Sequence, residues 1–170
     1  MYMSILLQGF QVILSCICAI VLLFIGLYFK KHIKPEIGKN GFSTPGTMET
    51  EEGWLYAQVI GPQIAIRFGT TALVTALFVD ALILFFGIDP ENMIIYGNTI
   101  GFCFVIALLL DMERRVKDFL NSKLFLQDAD TRKEWIAMVK EMIQKEPYAR
   151  LLKFAESNCF DCEAMKTFLS

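Results

Sequence analysis

Charge is missing from two long stretches of this chain. Residues 1–29 carry no Lys, Arg, His, Asp or Glu, and residues 68–113 carry no basic side chain and only a few acids. Histidine is almost absent too, with His32 the single copy. General acid–base catalysis draws on histidine more than on any other side chain. No Ser/His/Asp set, metal-ligand cluster or glycine-rich phosphate loop is present, so the sequence reads as a non-enzyme with no cofactor and no metal. The net charge of -2 gives no support for nucleic-acid binding. Cysteine is sparse, at 5 residues. Cys16, Cys18 and Cys103 lie in apolar segments and read as small packing residues. Cys159 and Cys162 form one Cys-x-x-Cys, short of the four ligands of a structural zinc site.

What fills the uncharged stretches is apolar. The chain is 55% hydrophobic, with 15 Phe and a mean hydropathy of +0.47, above the usual range for a soluble domain. About 20 apolar residues are needed to cross the hydrocarbon of a bilayer. Three segments qualify: about 5–29, 63–86 and 93–110. A cleaved signal peptide would carry basic residues before its apolar run; here Lys30, Lys31 and Lys34 follow it. The positive-inside rule then places the N-terminus outside. Arg67 marks the cytoplasmic start of the second span, the link Gly87–Asn92 holds acids only, and Arg114, Arg115 and Lys117 follow the third. The sequence therefore predicts a multi-pass protein with a cytoplasmic C-terminus.

Between the first two spans lies Gly41-Phe42-Ser43-Thr44-Pro45-Gly46-Thr47-Met48, then Glu51-Glu52-Gly53-Trp54-Leu55-Tyr56-Ala57-Gln58. A Gly–aromatic–x–Thr–Pro turn, an acidic pair and Trp-x-x-Ala leading into a span resemble the motif region of the SdpI/YhfL family of bacterial membrane proteins, named for a toxin-immunity member. The resemblance covers roughly Lys34 to Asp111. It marks Gly41, Thr44, Pro45, Trp54 and Ala57 as the binding motif, and it implies protection against a membrane-active peptide or protein toxin in a bacterial cell membrane. The chain has Ser43 where the family pattern usually has Arg, and Gln58 where it tends to have Asn.

Physical reading of the same residues gives a tight turn leading into a helix. Gly41 opens backbone conformations closed to other residues, and Pro45 holds Thr44 extended. Thr47 or Thr50 can cap a helix whose positive end is met by Glu49, Glu51 and Glu52. Trp54 and Tyr56 suit a helix resting at headgroup level, and Gly61-Pro62 is expected to end or bend it before the second span. Within that span Asp80 is the outlier, since a mid-span Asp costs about 2.5–3.5 kcal/mol on insertion scales. It is expected to be buried in the bundle and satisfied by Asn98 or Thr99, at similar depth across the hairpin, by a polar group of the first span or by water, with Gln8 and Gln11 as weaker polar candidates. Gly97 and Gly101 form a small-xxx-small face that permits close helix approach.

Residues 112–170 read as a small helical cytoplasmic tail. Thr131–Glu134 has the form of a capping box, and Trp135, Ile136, Val139, Met142 and Ile143 recur at helical spacing. Pro147 is expected to start a further helix carrying Leu151, Leu152, Phe154 and Ala155, and a last one covers Glu163–Leu169. The predicted fold is all-α: a three-span module over 1–111 with an interfacial loop helix, and a tail over 112–170. Besides the lipid bilayer and a toxin, the expected partner is a cytosolic or membrane protein docked through 112–170. That surface supports a rival reading, an accessory or scaffolding subunit of a larger membrane complex. In a cysteine-free background, single cysteines at positions 2, 90 and 160 test the topology. Thiol labelling of intact cells should modify the first two only; labelling at 160 but not 90 reverses the orientation.

Overall fold

A computed structural model describes residues 2–33, 35–38, 41–89, 91–122 and 128–158. Its elements are helices: α1 (Tyr2–Ser15), α2 (Ile17–Lys31), α3 (Pro45–Met48), α4 (Glu51–Phe85), α5 (Glu91–Ser122), α6 (Ala129–Lys145) and α7 (Tyr148–Asn158). Among the described residues there is no strand, as the all-α expectation requires. Helices α4 and α5 are each long and apolar enough to cross a membrane, and α1 with α2 forms a third candidate if the bent pair counts as one span. The Cys159/Cys162 pair, the Glu163–Leu169 helix and the side chain of Phe154 lie outside the described residues. The chain divides into two compact units, Met1–Leu27 with Ile64–Leu109, and Tyr28–Gln63 with Leu110–Ser170. The loop around the motif belongs to the second of these units.

In the first unit, a bundle, the buried residues of α4 include Ala65, Gly69, Ala72, Ala76, Asp80 and Ile83. Their spacing of three or four keeps them on one helical face, and the small ones let neighbouring backbones come close. A Cβ on Gly69 would lie 2.8 Å from the Leu23 backbone nitrogen, and one on Gly97 2.6 Å from the Ser15 carbonyl oxygen. Gly97 and Gly101 therefore receive the first span, at Ser15 and Cys18, rather than their hairpin partner. The outer faces are apolar: Phe10, Phe24, Phe78, Phe85, Ile95 and Phe102 are 58–82% exposed. Such a surface suits acyl chains, not water. The α4–α5 turn uses Gly87 at φ 66°, a conformation that costs glycine little.

The α1–α2 segment is not one straight helix. α1 stops at Ser15, α2 starts at Ile17, and Leu7–Ser15 meets Ile17–Lys31 at 52°. Two polar side chains enter the carbonyl ladder there. The Ser15 hydroxyl lies 2.8 Å from the Val12 carbonyl oxygen, and Asn98 Nδ2 donates to the Leu14 carbonyl at 3.0 Å. Side chains inserted into the ladder are a known cause of kinks. The sequence hides this, because neither Ser nor a distant Asn interrupts hydropathy.

The break expected at Gly61-Pro62 does not occur; α4 runs through Pro62 from Glu51 to Phe85. Proline removes one backbone donor, and the surrounding turns hold. Gly61 instead admits Phe42, whose ring would lie 2.6 Å from a Cβ there. The helix that carries Trp54 is accordingly continuous with the candidate span, and the separate loop helix is the four-residue α3. Thr50 caps α4 by accepting from Gly53 N–H at 3.1 Å.

In the second unit, α6 is capped by Asp128, whose side chain accepts from Thr131 N–H at 2.9 Å. The cap lies three residues before the expected Thr131, because the aspartate there is already a strong N-cap. Trp135, Met138, Val139 and Met142 form the buried stripe of α6. α7 follows Pro147 as expected, and Tyr148 Oη donates to the Val59 carbonyl at 3.0 Å. The tail is also fixed by charge. Both oxygens of the Glu52 carboxylate, 2% exposed, receive the Arg132 guanidinium, with Nη2 at 2.9 Å from Oε2, and Lys140 pairs with Glu51. Removing one partner of a buried pair is far costlier than removing both. Arg132→Ala should destabilise the purified protein by about 2–3 kcal/mol, allowing for the half-exposed arginine, and Glu52→Met with Arg132→Leu by less. Thermal unfolding in detergent provides the comparison.

Candidate functional site

The motif residues are knit into a single polar network. Gln58 clamps the backbone of Phe42 at both ends: its Oε1 accepts from Phe42 N–H at 3.2 Å, and its Nε2 donates to Phe42 O at 3.1 Å. Gly41 is tight against the same amide, with a Cβ position 2.1 Å from Gln58 Oε1, so a side chain at 41 would displace the clamp. Thr44 then caps α3 with extended backbone, accepting from Thr47 N–H, while Thr47 Oγ1 accepts from Thr44 N–H at 2.7 Å. Pro45 occupies the first turn, where its missing N–H costs nothing.

One carboxylate holds this turn. Glu113 Oε2 accepts from the Thr44 hydroxyl at 2.6 Å and from Gly46 N–H at 3.0 Å, while Oε1 pairs with Lys117 at 3.2 Å. Glu113 lies just past the apolar segment 93–110. The Thr44 hydroxyl holds its carboxyl below the usual glutamate range; burial opposes this, and Lys117 and the Gly46 amide add to the lowering.

Trp54 is 1% exposed and Ala57 fully buried. Trp54 is thus a core residue of this unit and not a headgroup anchor. Burying a side chain of this size contributes about 1.5–3 kcal/mol. Tyr56 is only half-buried and stacks on Phe119 at 4.2 Å between ring centroids. Beside the turn lies a cavity of about 400 Å³ lined by Tyr28, Phe29, Gly38, Gly41, Ser43, Met48 and Trp54. Ser43 is exposed, at the place where the family pattern would put Arg. Of the motif residues, Gly41 and Trp54 reach the cavity, whereas Thr44, Pro45 and Ala57 build its frame.

Of the partners expected for Asp80, a polar group of the N-terminal apolar segment is the one it meets. Asp80 is 2% exposed, and its Oδ2 lies 2.5 Å from Ser15 Oγ in the first span. Asn98 donates to the carbonyls of Leu14 and Ile94. Thr99 is exposed and returns its hydroxyl to Ile95 O at 2.7 Å, so it does not belong to the cluster. Gln8 and Gln11 are half-buried. Ser15 and Glu113 are the two residues that sequence reasoning passed over. For Asp80 a signal existed: it continues the small-residue stripe Ala65–Ala76 and so must face inward. Among the described residues, no group of three or more His, Cys, Asp or Glu could hold a metal ion.

Searches of protein-family models, curated proteins and solved structures found no match to this chain. The likeness to the SdpI/YhfL pattern therefore stands on the motif residues alone.

The Glu113 anchor has a defined pH response. A carboxyl held below its ordinary range contributes stability that is complete above that range and lost as pH falls through the lowered value. The turn should therefore stay anchored at neutral and mildly acidic pH and loosen only below the ordinary glutamate range. Limited proteolysis of the 41–48 turn across a pH series checks this. Glu113→Gln should remove the acid transition and cost about 1.5 kcal/mol at pH 7, as for hydrogen bonds to a charged group.

Proposed function

We propose that this chain is an SdpI-like protein of a bacterial cell membrane, N-terminus outside and C-terminus cytoplasmic, that protects its cell by binding a membrane-active peptide. The observation that carries the reading is the cavity beside the motif turn, with Gly41, Ser43 and Trp54 in its wall. Its volume is within the range of small-ligand sites. Aromatic and thioether walls with one exposed hydroxyl suit an apolar side chain or short apolar segment of a peptide. The Gln58 and Glu113 contacts keep the wall rigid before binding, which reduces the ordering that binding would otherwise require.

The accessory-subunit reading has less behind it. Among the described tail residues 128–158, no large apolar side chain is exposed, and Trp135, Met142 and Leu151 are spent on internal packing. Among those described residues, a docking role would rest on charge.

Ser43→Trp separates binding from folding, since Ser43 is exposed and a tryptophan there would occupy the cavity. Expressed in a sensitive strain beside any toxin co-encoded with it, the variant should accumulate normally and lose protection about tenfold or more, the cost of about 1.4 kcal/mol of binding. Protection equal to the original by a normally accumulating Ser43→Trp protein removes the cavity as the site. No protection by the original protein favours the accessory subunit.

A further inference from the structure

At the α1–α2 bend the single hydroxyl hydrogen of Ser15 faces two oxygens. Ser15 Oγ lies 2.8 Å from the Val12 carbonyl and 2.5 Å from Asp80 Oδ2. A serine hydroxyl has one hydrogen and two lone pairs. If it donates to Val12, as serine in a helix commonly does, the contact with Asp80 needs a hydrogen from the aspartate side. We propose that Asp80 is an intramembrane proton-binding site: it carries a hydrogen on Oδ2, donates it to Ser15 Oγ, and Ser15 in turn donates to Val12 O.

Two further observations support this assignment. The bundle unit contains one basic residue, Arg67, which lies thirteen residues earlier on the same helix, about 20 Å away. No side-chain cation of the unit can therefore neutralise a carboxylate at 80. Finally, Asp80 Oδ1 is buried without a hydrogen-bond partner, a much smaller penalty for a neutral carbonyl oxygen than for half of an anion.

The groups facing Asp80 from the packed elements are Ser15, whose hydroxyl also lies 3.6 Å from the Cys16 thiol, and, at the adjacent Leu14, the uncharged Asn98. Asn98 Oδ1 is likewise buried and unpartnered, so the bend gathers two acceptor oxygens and no cation. Losing the proton would leave Oγ and Oδ2 sharing one hydrogen.

Infrared spectroscopy of the full chain in lipid nanodiscs at pH 7 tests the assignment. The wild-type spectrum should contain a protonated-carboxyl C=O band that is lost in Asp80→Asn. In Ser15→Ala the band should persist at a higher frequency, because its acceptor is gone. Asp80→Asn should keep the wild-type thermal midpoint, since Nδ2 can donate to Ser15 as the acid does. Identical carbonyl regions in wild type and Asp80→Asn would overturn the proposal. So would a carboxylate band at 80 that shifts between sodium chloride and choline chloride, which would make sodium the occupant, or a large fall in the Asp80→Asn midpoint.

Discussion

The carboxylate of Glu113 is the contact on which the motif turn depends. One oxygen accepts from both the Thr44 hydroxyl and the Gly46 amide, and this fixes the Pro45–Met48 turn against α5. A helix of four residues has no stability of its own. Its geometry comes from the reciprocal Thr44–Thr47 cap, the Glu113 anchor and the Gln58 clamp acting together. The wall of the cavity follows from that rigidity, because Ser43 and Met48 flank the anchored segment. Thr44 and Pro45 thus resemble a recognition motif in sequence and act in the structure as its frame.

The bundle obeys a different constraint. In hydrocarbon, packing cannot rely on expelling water, so close backbone approach and internal hydrogen bonding have to supply cohesion. Small residues along α4 and at Gly97 provide the approach. The bend at Ser15–Cys16 supplies polar groups at the depth where Asp80 needs a partner, and Asn98 occupies the Leu14 carbonyl. The bend and the buried acid therefore belong together: each offers the other hydrogen-bonding groups that a straight apolar helix would lack. The outer faces, rich in exposed phenylalanine, need only match lipid.

Much of this was legible in the chain. Long uncharged runs can only be helices that cross or lie within an apolar phase, so the all-α class and the positions of the apolar segments follow from hydropathy alone. The stripe Trp135–Met142 and the helix after Pro147 were visible because helical period and proline are local signals. The start of α6 was misread by three residues because two adjacent cap patterns competed, and Asp128 is the one the backbone uses. At Gly61-Pro62 an end or a bend was expected because both residues are helix breakers by propensity; the helix does not end there, and packing on Phe42 makes the glycine useful inside it.

What the sequence by itself determined is set by short-range rules: which segments are apolar, which are helical, and that Asp80 is costly unless it finds a partner. What only the tertiary structure decided is which partner. Ser15 lies 65 positions from Asp80, Glu113 lies 69 from Thr44, and Arg132 lies 80 from Glu52. Hydrogen bonds and ion pairs depend on ångström-scale placement of groups brought together by folding, and no periodicity in the chain encodes that distance.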